Sequence, residues 1–209
     1  MKAIVLLSGG LDSLVTLSMA LKAGRQILTL SFDYGQRHKI EIEAARAIAE
    51  YYRVPNKLIT IDPATFREAQ CSLTGAQASS TYVPARNTLF LAYAAGQAEI
   101  FGADEIYIGA NKADRTGYPD CRPEFIRAFQ GVLDCAILGS PKIVTPLTDL
   151  EKSEVVKLGM ELSCPLELSW SCYNPQKTRP CLVCDACKLR IGAFKAVADE
   201  AEKIRSHCS

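Results

Sequence analysis

Short apolar runs alternate with stretches of helical period along this chain, and that rhythm restricts the fold more than any other feature. KAIVLL (Lys2–Leu7) precedes a helical pattern over Ser13–Lys22. ILTLSF (Ile27–Phe32) precedes a second helix on which Ile40, Ala44 and Ile48 recur every fourth residue. KLITI (Lys57–Ile61) reads as a third strand, Leu89–Phe101 as a third helix apolar enough to be largely buried, and EIYIG (Glu105–Gly109) as a fourth strand. Further helices are expected over Pro123–Leu138, with proline in the first turn, and over Leu150–Leu162, where Thr148 and Glu151 have capping-box spacing. A last one runs from about Asp185 to Arg205. Strands alternating with helices dictate right-handed βαβ crossovers, hence an α/β fold: a mostly parallel sheet with helices on both faces. Ligands of such sheets bind at the carboxyl ends of the strands, so the loops after each strand carry the chemistry.

With 209 residues and 48% hydrophobic content, the chain builds one well-buried core. The expected organisation is a single domain over 1–209, comprising a core over 1–169 and a cysteine-rich subregion with a C-terminal helix over 170–209. Basic and acidic residues nearly cancel (24 against 23, net +1), which provides no polycationic face and argues against a nucleic-acid partner. After Lys2 only Ala3–Leu7 are apolar before Ser8 and two glycines, too short a run for a signal-peptide core or a bilayer span. A cytoplasmic protein without membrane contact is expected. An odd count of nine cysteines argues for reduced thiols rather than a disulfide framework. Cys71, Cys121, Cys135, Cys164 and Cys208 stand apart and read as small apolar side chains. Cys71–Tyr82, rich in Ser, Thr, Gly and Ala, is expected to form a mobile loop.

SGGLDS (Ser8–Ser13) leaves a buried-type strand and enters a helix, where successive backbone N–H groups and the helix dipole make an anion site. Gly9 and Gly10 allow the backbone to approach a phosphate closely, and Ser8 and Ser13 donate hydroxyls. The loop fits neither the Walker A pattern nor G-x-G-x-x-G, and no lysine reaches over the phosphates. Asp12 repels phosphate unless it caps the helix or holds Mg²⁺, which points to a magnesium-nucleotide. An ordinary strand-to-helix turn with a serine cap is the competing reading.

Four more cysteines, Cys172, Cys181, Cys184 and Cys187, lie in the C-x₈-C-x₂-C-x₂-C stretch SCYNPQKTRPCLVCDAC. Their spacing suits a compact loop around one tetrahedral Zn²⁺, and a closed four-thiolate shell suits a structural site. An iron–sulfur cluster and thiol–disulfide exchange by Cys184 and Cys187 are the alternatives.

The glycine loop resembles the PP-loop of the N-type ATP pyrophosphatases, which cleave ATP between its α and β phosphates and have an adenine nucleotide alpha hydrolase-like fold. FDYGQRH (Phe32–His38), YVPARNTLFL (Tyr82–Leu91), GYPDCRPEF (Gly117–Phe125) and WSCYNP with the cysteine spacing are, in that order, similar to the 7-cyano-7-deazaguanine synthase family of queuosine biosynthesis. The resemblance runs from Ser8 to about Phe194. It implies that ATP and ammonia convert the carboxylate of 7-carboxy-7-deazaguanine to a nitrile, through adenylated carboxylate and adenylated amide. It also implies a structural zinc on the four cysteines and a homodimer.

Under that resemblance Ser8, Gly9, Gly10, Leu11, Asp12 and Ser13 take the ATP phosphates with Mg²⁺, and Arg86 acts as a second phosphate clamp, with Lys112 a weaker candidate. A guanine-like base offers adjacent N–H donors that a carboxylate accepts, so Asp114 or Asp120 is expected to read it. Tyr34 or Tyr118 stacks on it, and Gln36 and Asn87 contribute amides. His38 is expected to take protons from the ammonium or amide nitrogen. The family usually has glycine where Leu182 stands, which puts the knuckle's turn in question. A tRNA-modifying PP-loop enzyme, thiolating or lysidine-forming, is the main rival, and a zinc-ribbon binding module a second.

Overall fold

The computed structural model describes residues 1–37, 39–66, 69, 71–74 and 81–207. Five parallel strands, β1 (Lys2–Leu6), β2 (Gln26–Asp33), β3 (Asn56–Thr60), β4 (Glu105–Tyr107) and β5 (Lys142–Val144), form one sheet in the order β3-β2-β1-β4-β5. Helices α1 (Leu11–Lys22), α2 (Ile40–Tyr52), α3 (Arg86–Phe101), α4 (Asp114–Gly117), α5 (Pro123–Ala136), α6 (Lys152–Glu161) and α7 (Asp185–His207) fill the connections.

The alternation of side chains along β1 explains its unbroken apolar run. Ala3, Val5 and Leu7 join a core with residues of α1, α2, α6 and α7, whereas Ile4 and Leu6 join a second core with α3 and α5 on the opposite face. Burial on both faces of the central strand leaves no polar position to alternate.

Several elements differ from the sequence expectation. The inward stripe of α2 is Ile42, Ala45, Ile48 and Ala49, so Ile48 faces the core while Ile40 and Ala44 lie at the margin. Helix α3 starts at Arg86 rather than Leu89 and buries only one face, through Leu91, Ala94, Ala95 and Ala98; Ile100 is 79% exposed. The capping box of α6 is Glu151 with Glu154, whose Oε2 accepts the Glu151 N–H at 2.7 Å; Thr148 instead accepts a hydrogen bond from Arg115. Strand β5 was not expected, because only Ile143 of its three residues is buried. Of the expected mobile loop, residues 75–80 lie outside the described residues, and Cys71 is fully buried.

Candidate active site and metal centre

From β1 the chain moves outward through β2 to β3, then returns to add β4 and β5 on the other side. The strand order therefore reverses between β1 and β4, and a crevice opens there at the carboxyl ends of the strands. A cavity of about 290 Å³ occupies it, lined by the loops after β1, β2 and β4 and by the chain around Trp170–Tyr173.

The glycine loop forms the floor. Gly9 has φ 84°, and a Cβ there would meet the Glu41 carbonyl oxygen at 2.1 Å and the Ala45 nitrogen at 2.8 Å. Only glycine satisfies both the left-handed conformation and the packing against α2. The Gly10 N–H donates to Ser8 Oγ at 3.2 Å, and the Ser13 hydroxyl donates to the Gly10 carbonyl at 2.9 Å, which fixes the turn from within. No side chain caps the first turn of α1, which leaves its N–H groups for an anion.

A lysine does reach this loop. Lys152 Nζ, from the start of α6, lies 2.6 Å from Asp12 Oδ2, although the two are 140 residues apart in sequence. Asp12 Oδ1 is buried and has no hydrogen-bond partner among the described residues. An orphaned carboxylate oxygen beside an uncapped helix start fits a divalent cation.

Arg86, at the start of α3, faces the cavity from the side of β2. Its guanidinium carbon is 6.0 Å from the Tyr34 ring centroid and 5.8 Å from that of Phe90. Burial opposes its charge, but Tyr34, Glu41 and Asp120 more than offset this and raise its pKa. Its Nε is buried without a partner among the described residues. Glu41, in the first turn of α2, projects into the same cavity. Burial pushes its carboxyl up to about 6, against the opposing pull of Arg86 and a hydrogen bond from Gln36.

The remaining expected residues fall into two groups. Tyr34, Gln36, Asn87, Asp114 and Tyr118 all line the cavity. Gln36 also braces the turn, because its Oε1 accepts the Tyr34 N–H at 2.9 Å and its Nε2 donates to the Phe32 carbonyl at 3.0 Å. Asp114 accepts the Asn111 N–H at 3.1 Å, and burial raises its carboxyl. Asp120 is off the cavity wall: buried, it accepts the Asn87 N–H at 2.9 Å and so secures the start of α3. Lys112 forms an exposed ion pair with Glu151 at 2.8 Å, also off the wall. His38 lies outside the described residues. Glu41 and Lys152 were missed in the sequence because neither sits in a local pattern; each reaches the cavity only through helix placement.

The four expected cysteines converge, with all four sulfurs within 4.8 Å of one another. Cys181 N–H donates to Cys172 Sγ at 3.2 Å and Cys184 N–H to Cys181 Sγ at 3.3 Å. Donors aimed at sulfur favour thiolates, and those of Val183 and Cys184 hold the Cys181 thiol down to about 6. Four sulfurs at this separation fit a tetrahedral ion. Leu182 adopts φ 62°, the left-handed turn for which glycine is the usual residue. The cluster is tied to the glycine loop through Trp170, whose N–H donates to the Gly9 carbonyl at 2.8 Å and whose indole N–H donates to the Cys172 carbonyl at 2.9 Å. Cys121 lines the cavity with its thiol pushed up to about 12 by burial, and Cys164 donates to Ser18.

A five-stranded parallel sheet covered by helices on both faces, with a glycine loop after its central strand and a reversal of strand order beside it, defines a doubly wound α/β class. NMN synthetase from Francisella tularensis shares this fold, with a TM-score of 0.55 and 20% identity over 87% of this chain and 70% of that one. The particular family follows from sequence: the model of the queuosine biosynthesis protein QueC family matches residues 2–198, and the chain belongs to that family. It is 44% identical to the 7-cyano-7-deazaguanine synthase of Leptospira interrogans, over 93% of this chain and 86% of that protein. The synthase of Picrophilus torridus is also 44% identical, over 95% and 89%.

Proposed function

We propose that this protein is the ATP-dependent ligase that converts 7-carboxy-7-deazaguanine and ammonia to 7-cyano-7-deazaguanine, by adenylating first the carboxylate and then the amide. A carboxylate resists ammonia because it is anionic and its leaving group would be oxide. Transfer of AMP supplies a good leaving group, and the same operation on the amide oxygen lets AMP depart as the nitrile forms.

One arrangement carries the reading. A capless helix N-terminus with the Asp12–Lys152 pair, and an aromatic wall with Arg86, open into the same cavity, in a chain 44% identical to a 7-cyano-7-deazaguanine synthase. Ser8, Gly10 and Ser13 and the first N–H groups of α1 would hold the pyrophosphate, with Lys152 and Arg86 as cationic clamps. Asp12 would hold Mg²⁺ through its unpartnered oxygen, which screens the phosphate charge. Tyr34 or Tyr118 would stack on the base and Asp114 would accept its N–H donors, since Asp120 is occupied with Asn87. Cys172, Cys181, Cys184 and Cys187 would hold a structural zinc that fixes Trp170 against the glycine loop. Positioning and electrostatics account for most of the catalysis.

The test is incubation with Mg·ATP, ammonium and 7-carboxy-7-deazaguanine, with AMP and the nitrile followed by mass spectrometry. Both are expected to form without tRNA. No AMP, or AMP only when tRNA is added, would overturn the reading in favour of a tRNA-modifying enzyme.

A further inference from the structure

Ammonia brings three N–H bonds to a reaction of this kind and ends as a nitrile nitrogen with none, so three protons must be removed inside the site. Among the described residues, three carboxylates line the cavity: Asp12, Glu41 and Asp114. Asp12 Oδ2 is engaged by Lys152 Nζ at 2.6 Å, and its other oxygen is the one assigned above to Mg²⁺. Asp114 Oδ2 accepts the Asn111 N–H in the loop after β4, and its carboxylate is the one assigned above to the N–H donors of the base. Glu41 remains. It stands in the first turn of α2, its own carbonyl oxygen packed where a Gly9 side chain would be, so its backbone is fixed against the glycine loop. Its carboxylate enters the cavity beside Arg86, Tyr34 and Gln36.

We propose that Glu41 is the general base that receives protons from the nucleophilic nitrogen; this rests on the ligase reading above. In the first half-reaction the ammonia lone pair forms a C–N bond to the acyl adenylate carbon. The C–O bond to AMP breaks, its electron pair leaves on the phosphate oxygen, and one N–H proton passes to a Glu41 oxygen. In the second, the amide oxygen attacks the α-phosphorus of a second ATP, pyrophosphate leaves, and one N–H proton passes to Glu41 to give the O-adenylated imidate. Its C–O bond then breaks, the electron pair leaves with AMP, the carbon–nitrogen triple bond closes, and the last N–H proton passes to the same carboxylate, which returns each proton to water between steps. A carboxyl pushed up to about 6 by burial is a better acceptor than an exposed one and is still mainly ionised at neutral pH. Arg86 serves both ends of the event, as it faces the anion of Glu41 and the site proposed for phosphate.

The competing role is purely structural: Glu41 as the counterion that keeps Arg86 in place. Glu41→Gln keeps shape and hydrogen bonding while removing the acceptor, and its reactions separate the two. Acid-dependent exchange of pyrophosphate into ATP, measured without ammonium, reports adenylation. Amide and nitrile formation with ammonium reports proton removal, and hydroxylamine, a weaker base that is mainly uncharged at neutral pH, intercepts the acyl adenylate with less need of a base. For Glu41→Gln the expected result is exchange within about threefold of wild type, hydroxamate formation largely kept, and ammonium-dependent turnover down about 100-fold. Glu41→Asp should recover part of that loss. Equal loss of exchange, hydroxamate and turnover overturns the assignment, and so does undiminished turnover. If Glu41→Gln does not fold, the same three readings on Glu41→Asp decide: selective loss of ammonium-dependent turnover supports the base, uniform loss refutes it. If wild-type protein itself shows no acid-dependent exchange, the ligase reading fails and this inference falls with it, an outcome distinct from failure in the variants alone.

Discussion

Gly9 and Leu182 both hold left-handed backbone, at φ 84° and 62°, in the two loops that border the candidate site. Their surroundings differ completely. At Gly9 the helix α2 backbone already fills the space a Cβ would take, so the loop's shape is imposed by packing between a central strand and two helices. Leu182 points outward and is 59% exposed, and its turn is imposed by four sulfurs that must converge. The first loop admits no side chain, while the second admits a poor one at small cost. A glycine loop shaped by packing takes its order from the fold itself, whereas four converging sulfurs would take part of theirs from a bound ion.

The most severe test of this contrast is Gly9→Ala. Left-handed strain together with overlap on a helix backbone should cost about 3 kcal/mol or more in denaturant unfolding, with loss of ATP binding. A stable, ATP-binding variant would break the comparison. Cys184→Ser should cost roughly 2 kcal/mol and abolish stoichiometric zinc by elemental analysis, with amide protection lost in 172–187 but kept in the sheet. Collapse of the sheet as well would mean that the cysteine loop supports the core through Trp170.

Lys152→Met leaves the turn intact and removes the distant cation. ATP should bind about tenfold more weakly, roughly 1.4 kcal/mol by titration, with little change in unfolding. Acid should affect the two loops differently as well. Cys181, held at about 6 by backbone donors, is a thiolate at neutral pH and gains a proton as pH falls through that value, a proton that a metal must then displace. Zinc release to a chromophoric chelator should steepen below about pH 6. The smallest effect is expected from Leu182→Gly: relief of left-handed strain, partly offset by the freer unfolded chain, should raise stability by roughly 0.5 kcal/mol. A loss on that substitution would mean that the leucine side chain packs productively despite its exposure.

What the sequence determined by itself was local. The apolar run of β1 with two glycines behind it, the helical periods of α1 and α5 and the cysteine spacing are each written within a dozen or so consecutive residues, where backbone geometry alone fixes which side chains face which way. The parallel α/β class and the grouping of the four cysteines followed from these patterns. Tertiary structure decided everything that joins distant segments. It brought Lys152 to Asp12, tied Trp170 to Gly9, turned Asp120 from the cavity to the start of α3 and aimed Glu41 at Arg86. No period in the chain encodes such pairs, because they depend on strand order and on the depth at which each helix packs, and those are settled only when the two faces of the sheet are covered together.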